Sequence, residues 1–242
     1  MIEVKDIHKS FDDHEVLKGI SGTFEQGQTS MVIGSSGTGK SVLLKCMIGI
    51  LKPDRGNVYF NGRDIVSSGP DLVREIRKEM GVLFQGGALF DSKSVLENVK
   101  FPLDVLTEQP EEEKIERAMT CLKRVQLEDA VYQMPSEISG GMKKRVGIAR
   151  AIVMNPKYLF CDEPNSGLDP LTSTKIDNLI QEITKEYNIT TVVISHDMNS
   201  VIRMGEKVLF LSEGEKLWEG SAQEIRGSGI QALDEFVFSK LT

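Results

Sequence analysis

The sequence is poor in the features that mark disulfide-bonded, secreted or membrane-spanning proteins. Its three cysteines, Cys46, Cys121 and Cys161, are odd in number and widely spaced, which suits neither a disulfide framework nor a zinc site. No apolar run approaches the roughly 18 residues that a membrane helix needs. Residues 1–6 have neither the basic nor the hydrophobic region of a secretory signal, so we expect a cytoplasmic protein.

An excess of positive charge is missing as well. The 29 Lys and Arg residues are outnumbered by 36 Asp and Glu residues, and the formal net charge is −7. Because a protein that binds nucleic acid needs a basic face, we expect no nucleic-acid partner. The remaining composition, 40% hydrophobic and 27% charged, is that of an ordinary globular protein, and 242 residues suffice for one large domain.

Short apolar segments alternate with segments of helical spacing along most of the chain. Four apolar runs predict buried strands: residues 29–33, 81–84, 158–161 and 191–194. Two segments predict helices: residues 41–51 and 172–187. Such alternation indicates a mostly parallel sheet covered on both faces. Additional β-like segments lie near both ends, the last two forming a hairpin around Gly214: residues 2–7, 16–24, 58–60, 208–211 and 216–218.

A Glu- and Lys-rich segment with helical periodicity interrupts this alternation. Its stripe predicts one helix face: Glu112, Ile115, Ala118, Met119, Leu122 and Val125. We expect a single domain over residues 1–242, with a core formed by 1–93 and 156–225 and an inserted helical subdomain over 94–155. The tail, 226–242, has an apolar stripe that could cover its own domain or reach a neighbour: Leu233, Phe236, Val237 and Leu241.

A glycine-rich loop joins the first predicted buried strand to the following helix. It matches the P-loop pattern GxxxxGKS in the structural context that this pattern requires: Gly34, Ser35, Ser36, Gly37, Thr38, Gly39, Lys40 and Ser41. The glycines let backbone N–H groups turn toward phosphates, and the helix N-terminus adds positive potential. Lys40 would reach the β- and γ-phosphates, and the Ser41 hydroxyl would coordinate Mg²⁺.

Two carboxylates follow a later strand. Residues 158–161 deliver Asp162 to the carboxyl end of the sheet beside the P-loop, where it would hold Mg²⁺. Glu163 is next in the chain and could orient an attacking water as general base. An Asp-Glu pair alone is commonplace, but paired with a P-loop it predicts an NTPase.

A third motif, Ser139, Gly140 and Gly141, precedes a predicted helix. By itself it is an ordinary helix start, in which Ser139 is the N-cap. In this order and spacing, however, the chain resembles an ATP-binding subunit of the ABC transporter family, over residues 2 to about 218. The fold implied is α/β: a P-loop NTPase with a RecA-like core and mostly parallel sheet, an N-terminal antiparallel β region and an inserted α-helical subdomain.

The resemblance implies roles for further residues and two ligands, ATP and Mg²⁺. Ser139, Gly140 and Gly141 would contact ATP bound to a second copy, so a homodimer would close head to tail over two nucleotides. The remaining matches are Gln85 at Mg²⁺ and water, Asp169 in a loop that communicates across the dimer, His196 at the γ-phosphate, and Phe11 stacked on adenine. Taken alone, His196 would more often be a core or capping histidine, and Phe11 would more often be a core residue.

One departure from the family pattern points to a branch. Met142 stands where the family usually has glutamine, so an amide contact near the nucleotide is lost. This residue, the segments 84–90 and 95–99, and residues 195–198 resemble ATPases of MCE-type (Mla-like) phospholipid transport. The implied partners are an integral membrane permease (MlaE-like) and, indirectly, an MCE-domain protein, with the chain on the cytoplasmic face of the inner membrane. The sequence does not decide whether a small regulatory protein also binds to the helical subdomain.

Other classes fit the sequence less well. A chromosome- or repair-type ATPase would carry a long coiled coil in the insert, where no sustained heptads occur. Translation-associated cassettes carry two copies per chain, and small kinases have no use for the Ser139 motif. The main competitor is an ABC transporter of another substrate, such as amino acids or metal chelates.

Overall fold

The computed structural model describes residues 1–241. The strands within this range are β1 (Ile2–Phe11), β2 (His14–Phe24), β3 (Thr29–Ile33), β4 (Arg55–Phe60), β5 (Arg63–Asp64), β6 (Met80–Leu83), β7 (Tyr158–Asp162), β8 (Thr190–Ser195), β9 (Lys207–Ser212) and β10 (Glu215–Gly220). The α-helices are α1 (Lys40–Met47), α2 (Pro70–Lys78), α3 (Val95–Leu106), α4 (Glu111–Arg124), α5 (Gly140–Ile152), α6 (Pro170–Glu186), α7 (Met198–Met204) and α8 (Gln231–Leu241).

The larger sheet has six strands in the order β10-β9-β3-β8-β7-β6. All neighbours run parallel except the hairpin of β9 and β10. Every residue of β3, β7 and β8 is buried, because both faces of a mostly parallel sheet are covered by other elements. The predicted mixed sheet with mostly parallel strands is therefore confirmed.

Hydrophobic clusters lie on both faces of this sheet. Successive strand residues point to opposite faces, so Met31 and Ile33 join one cluster and Val32 joins the other. The cluster around Val32 also contains residues of α1 and of a four-stranded antiparallel sheet, β2-β1-β4-β5. There the Phe60 ring packs edge-on against Tyr158 of β7, with ring centroids 4.8 Å apart. The expected N-terminal antiparallel region is confirmed.

Helices α3, α4 and α5 pack on one another, and α5 also packs on β6. A capping box starts α3: the Ser94 hydroxyl accepts from Glu97 N, and the Glu97 carboxylate accepts from Ser94 N. Asn98 has no solvent exposure. Its side-chain amide donates to the carbonyls of Phe90, Lys93 and Ser94, which holds the preceding loop against the helix. The helical layer thus begins at a well-bonded turn.

Two local expectations need correction. The first helix ends at Met47 rather than at residue 51, because Gly49 has φ +72° and the N–H of Ile50 returns to the carbonyl of Lys45. This arrangement is a Schellman motif, in which glycine takes the left-handed position. Helix α2 was not expected, although Pro70 stands at its first position, where proline is favoured.

The tail helix α8 lies against the chain's own fold. Leu233, Phe236 and Val237 are buried, and the rings of Phe210 and Phe236 lie 5.6 Å apart. The side chain of Leu241, which belongs to the same predicted stripe, and Thr242 lie outside the described residues. Among the helices of residues 1–241, none is both long and apolar enough to cross a membrane.

Candidate nucleotide site

The glycine-rich loop connects the end of β3 to the start of α1. Lys40, the first residue of α1, is 7% exposed, and its ammonium group donates to the carbonyls of Gly34 and Ser35, both at 2.8 Å. The Thr38 hydroxyl also donates to Ser35 O, at 3.0 Å. The Lys40 charge therefore lies across the loop that the sequence predicts to bind phosphates.

Glycine is required at two positions of this loop. Gly39 caps α1 with φ +94°, and a Cβ there would lie 2.7 Å from a Leu17 methyl group and 3.0 Å from Val16 O. A Cβ on Gly34 (φ +152°) would lie 2.3 Å from Leu211 O. Any other residue is disfavoured at both positions, because its Cβ would clash and because glycine adopts these φ values more readily than residues with a side chain. The loop is a narrow backbone turn at a helix N-terminus, the arrangement that binds phosphate oxygens.

Ser41 and Asp162 meet beside the loop. The Ser41 hydroxyl donates to Asp162 Oδ1 at 3.2 Å. Burial raises the pKa of Asp162, which is 8% exposed, while the hydrogen bond from Ser41 opposes this shift. A nearby cation would stabilise the ionised form of this buried carboxylate, whose pKa is raised by the loss of solvent. Hydroxyl and carboxylate oxygens are also the ligands that Mg²⁺ prefers. The donor set therefore fits Mg²⁺ next to bound phosphates.

Glu163 and His196 form a pair at the end of β7 and β8. His196 Nδ1 lies 2.8 Å from Glu163 Oε1, and Glu163 N donates to Ile194 O. Glu163 has φ +49°, a left-handed conformation that is unfavourable for a residue with a side chain. Strain of this kind concentrates at functional sites, where the surroundings impose it. The carboxylate of this residue lies against the ring of His196.

Gln85 follows β6 and faces the loop after Glu163. Its side-chain amide donates to the Ser166 hydroxyl at 3.2 Å. Lys144 of α5 donates to the backbone carbonyls of both Gln85 and Glu163, the latter at 3.2 Å. Burial lowers the pKa of this lysine. The backbones of Gln85 and Glu163 are therefore joined by one buried cation.

The Ser139 motif lies elsewhere. The Ser139 hydroxyl accepts from Met142 N at 3.2 Å and so caps α5, while the Met142 side chain packs against the hydrophobic cluster below. Ser139 and Gly140 are exposed and, with Gly141 and Asp169, line a cleft of about 780 Å³. Among the described residues, those that line this cleft do not include any residue of the glycine-rich loop at 34–41.

Asp169 has a structural task in this chain. Its Oδ1 accepts from the N–H groups of Leu171 and Thr172, both at 3.0 Å, and caps α6. Hydrogen bonding to Thr172 lowers the pKa of Asp169. Capping by a charged carboxylate suits the positive end of the helix dipole.

Phe11 ends β1 on the protein surface. Its side chain is 43% exposed, so it is not a core residue. The ammonium group of Lys9 lies 5.5 Å from the centre of its ring and 2.7 Å from Asp54. An exposed aromatic ring with a cation beside it can stack on a planar base.

Comparison with known proteins decides the family. Residues 17–166 match the family model described as ABC transporter. The chain belongs to this family. A "probable ribonucleotide transport ATP-binding protein mkl" of Mycobacterium leprae is 41% identical over 82% of the chain. The chain spans 57% of that protein's length, a little over half.

Two other relatives of this ABC family cover more of the chain. The "methionine import ATP-binding protein MetN" of Clostridium acetobutylicum is 40% identical over 88% of this chain and 67% of its own length. The chloroplastic "protein trigalactosyldiacylglycerol 3" of Arabidopsis thaliana is 38% identical over 100% of this chain and 74% of its own.

Solved ABC cassettes share the fold closely. The dimeric structure of MJ0796, described as a bacterial ABC transporter cassette, has a TM-score of 0.84 and 33% identity, covering 92% of this chain and 99% of that one. A dimeric post-hydrolysis state of MJ0796, bound to ADP and Pi, has a TM-score of 0.83 and 32% identity, with the same coverage.

Within this ABC cassette, the predicted site residues separate into two groups. The loop 34–41, Asp162, Glu163 and His196 gather at the carboxyl ends of β3, β7 and β8, and Gln85 reaches them through Ser166. The Ser139 motif and Asp169 line the separate cleft. The sequence analysis did not single out Lys144. The available signal was its spacing, because Lys144 lies four residues before Ile148 and seven before Ala151 and therefore shares their buried helix face.

Proposed function

We propose that this chain is the ATP-hydrolysing subunit of an ABC transporter, and that two copies close head to tail over two Mg-ATP molecules. The exposed Ser139 motif carries this proposal, because it lies in a cleft apart from the loop 34–41. A complete site then needs the glycine-rich loop of one copy and the Ser139 motif of the other. The dimeric MJ0796 cassette supports such pairing.

Each residue of the proposed site has a distinct role. Backbone N–H groups of 34–39 and the Lys40 ammonium bind phosphate oxygens. Ser41, Asp162 and Gln85 hold Mg²⁺, which when bound offsets the negative charge of the phosphates. Phe11 stacks on adenine, and Ser139, Gly140 and Gly141 of the second copy bind the γ-phosphate from the opposite side, next to the loop that contains Asp169.

Glu163 is the proposed general base. One carboxylate oxygen, Oε1, is bonded to His196 Nδ1 at 2.8 Å, which orients the group and leaves Oε2 to accept the proton of the attacking water. Because Nδ1 donates to the Glu163 carboxylate, the other ring nitrogen, Nε2, could donate to the γ-phosphate only in the imidazolium form, in which both ring nitrogens carry a proton.

A groove beside the Gln85 segment is the proposed contact with a membrane permease. It measures about 300 Å³ and is lined mostly by apolar side chains, among them Phe84, Ala88, Phe90 and Phe101, together with the cationic residues Arg77, Lys78 and Arg150. The rings of Phe90 and Phe101 lie 4.6 Å apart. An apolar groove of this shape accepts one face of an amphipathic helix. Its position would link the permease to Gln85 and would keep the chain on the cytoplasmic face of the inner membrane.

Phospholipid is the substrate class that we propose, with an MlaE-like permease and an MCE-domain protein as further components. Met142 and the segments around Gln85 and His196 support it, as does a relative named for a galactolipid. Relatives named for ribonucleotide transport and methionine import support other substrates. Purifying the chain with its membrane partner and identifying bound lipid by mass spectrometry tests this step. Copurification of a permease that binds amino acids and no lipid would contradict it.

Mixing two inactive variants tests the head-to-tail site. Glu163→Gln removes the general base, and Gly140→Asp places a negative charge where the phosphate of the second copy would bind. The Gly140 variant should fold, because the atom nearest its added Cβ is a Leu168 methyl group at 3.7 Å. Each variant alone should hydrolyse little ATP, whereas each mixed dimer contains one intact site.

An equal mixture should therefore recover about a quarter of the wild-type rate, because half of the dimers are mixed and each has one intact site of two. The assay is phosphate release, repeated with the permease present. Gly140→Asn, which is neutral and of similar size, is the control and should lose less activity than Gly140→Asp. No recovery in the mixture, with both variants folded, would contradict a site shared between two copies.

A further inference from the structure

Lys144 occupies an unusual position for a lysine. It lies in the second turn of α5 and is 5% exposed. A buried ammonium group is costly unless its N–H groups find acceptors. Here it donates to Gln85 O and to Glu163 O, so each acceptor is the backbone of a residue that we place at the reacting phosphate.

A second cation of α5 holds the same segment. Arg150 donates to Gly87 O at 2.6 Å and to Ala88 O at 2.7 Å. Both of these residues have positive φ, +75° and +47°, so the segment after Gln85 is a tight turn whose carbonyls point at the helix. Lys144 differs from Arg150 because it alone also reaches the strand end that carries Glu163.

We infer that Lys144 is a positioning residue for ATP hydrolysis, which sets the separation of Gln85 and Glu163 by holding both backbones on one ammonium group. The inference rests on the proposed function. Glu163 already has a strained backbone, so the orientation of its carboxylate depends on contacts that restrain it. Lys144 is one of these contacts, and the carbonyl of Ile194, which accepts from Glu163 N, is another.

Replacing Lys144 with methionine keeps most of the side-chain length and removes every donor. We expect Lys144→Met to lower kcat about tenfold while the Kd for Mg-ATP changes less than about twofold, because the phosphate loop is untouched. Lys144→Arg, which retains a donor and the charge, should recover most of kcat. Lys123→Met, the same change at an exposed site on α4, is the control for the substitution itself.

A double variant separates positioning from general damage to the fold. If Lys144 acts through Glu163, Lys144→Met should change the residual kcat of Glu163→Gln by less than about twofold. An equal tenfold loss in both backgrounds would overturn the inference, and so would a kcat of Lys144→Met within twofold of wild type. If Lys144→Met does not fold, Lys144→Leu, which also removes every donor, is measured in the same way.

The proposed function can fail independently. Absence of ATP hydrolysis by the wild-type chain with its permease would refute that function without reference to Lys144. An active wild type with an equally active Lys144→Met variant would refute only the positioning role.

Discussion

The ion pair of Asp177 and Arg203 offers a quantitative test of the fold. Asp177 on α6 has no solvent exposure, accepts from Asn165 Nδ2 at 2.6 Å and is bonded to Arg203 of α7. Arg203→Met would leave a buried carboxylate without its cation. Losing one partner of a buried pair typically costs 3–5 kcal/mol, and we expect the lower end, about 3 kcal/mol, because the Arg203 side chain is 30% exposed.

The loss should depend on pH. Burial raises the pKa of Asp177 above its ordinary value of 3.8, and Arg203 opposes that rise. Because the folded protein binds this proton more tightly than the unfolded chain, the free energy of unfolding falls as pH rises from 3.8 through the folded pKa. Removing Arg203 raises the pKa of Asp177 in the folded protein further, so that this fall in stability extends to higher pH. The cost of Arg203→Met should therefore be complete at neutral pH and shrink as pH falls toward 4.

Thermal unfolding at pH 7.5 and pH 5 measures this effect. For a chain of this size, about 3 kcal/mol corresponds to a fall in Tm of about 6–12 °C. Asp177→Asn combined with Arg203→Met should recover most of the loss, since no buried charge remains, and Arg74→Met on the exposed face of α2 should change Tm little. A fall below about 2 °C, or an equal fall at both pH values, would refute the reasoning.

Two further predictions concern packing. Gly81→Ala should lower the free energy of unfolding by about 3 kcal/mol, because its Cβ would lie 2.2 Å from Ala151 O, whereas Gly227→Ala, with no atom within 4 Å, should stay within about 0.5 kcal/mol in the same urea titration. Burial raises the pKa of Cys161 to about 12 and that of Cys46 to about 11, so a thiol reagent at pH 8 should label neither until the chain unfolds. Rapid labelling of the folded protein would contradict the burial of these thiols.

Local signals in the sequence predict much of the fold and part of the site. The loop 34–41 could be found because strand, glycine-rich turn and helix are consecutive in the chain. Apolar strands 158–161 and 191–194 have enough buried residues to be recognised without partners. Gly49 marks the end of α1, but the apolar residues Ile50 and Leu51 continue the helical spacing, so the sequence pattern predicts a helix that is too long.

Contacts between distant segments could not be predicted in this way. The bond of Lys144 to Gln85 and Glu163 joins three segments that only the folded sheet brings together. The pairing of Glu163 with His196 likewise depends on β7 and β8 being neighbours. Helix α2 was missed because its buried face is narrow, with Ile76 its one fully buried residue among the described side chains of that helix.

Helix α5 has a mechanical consequence for the whole assembly. Its 13 residues span about 20 Å, with the first turn lining the cleft proposed for the second copy and Arg150 and Ala151 lining the groove proposed for the permease. If both proposed contacts form, a straight helix that touches two partners at opposite ends would transmit tilt between them. Movement of the helix start toward a nucleotide would then also move Arg150 and Ala151, and with them the wall of the proposed permease groove.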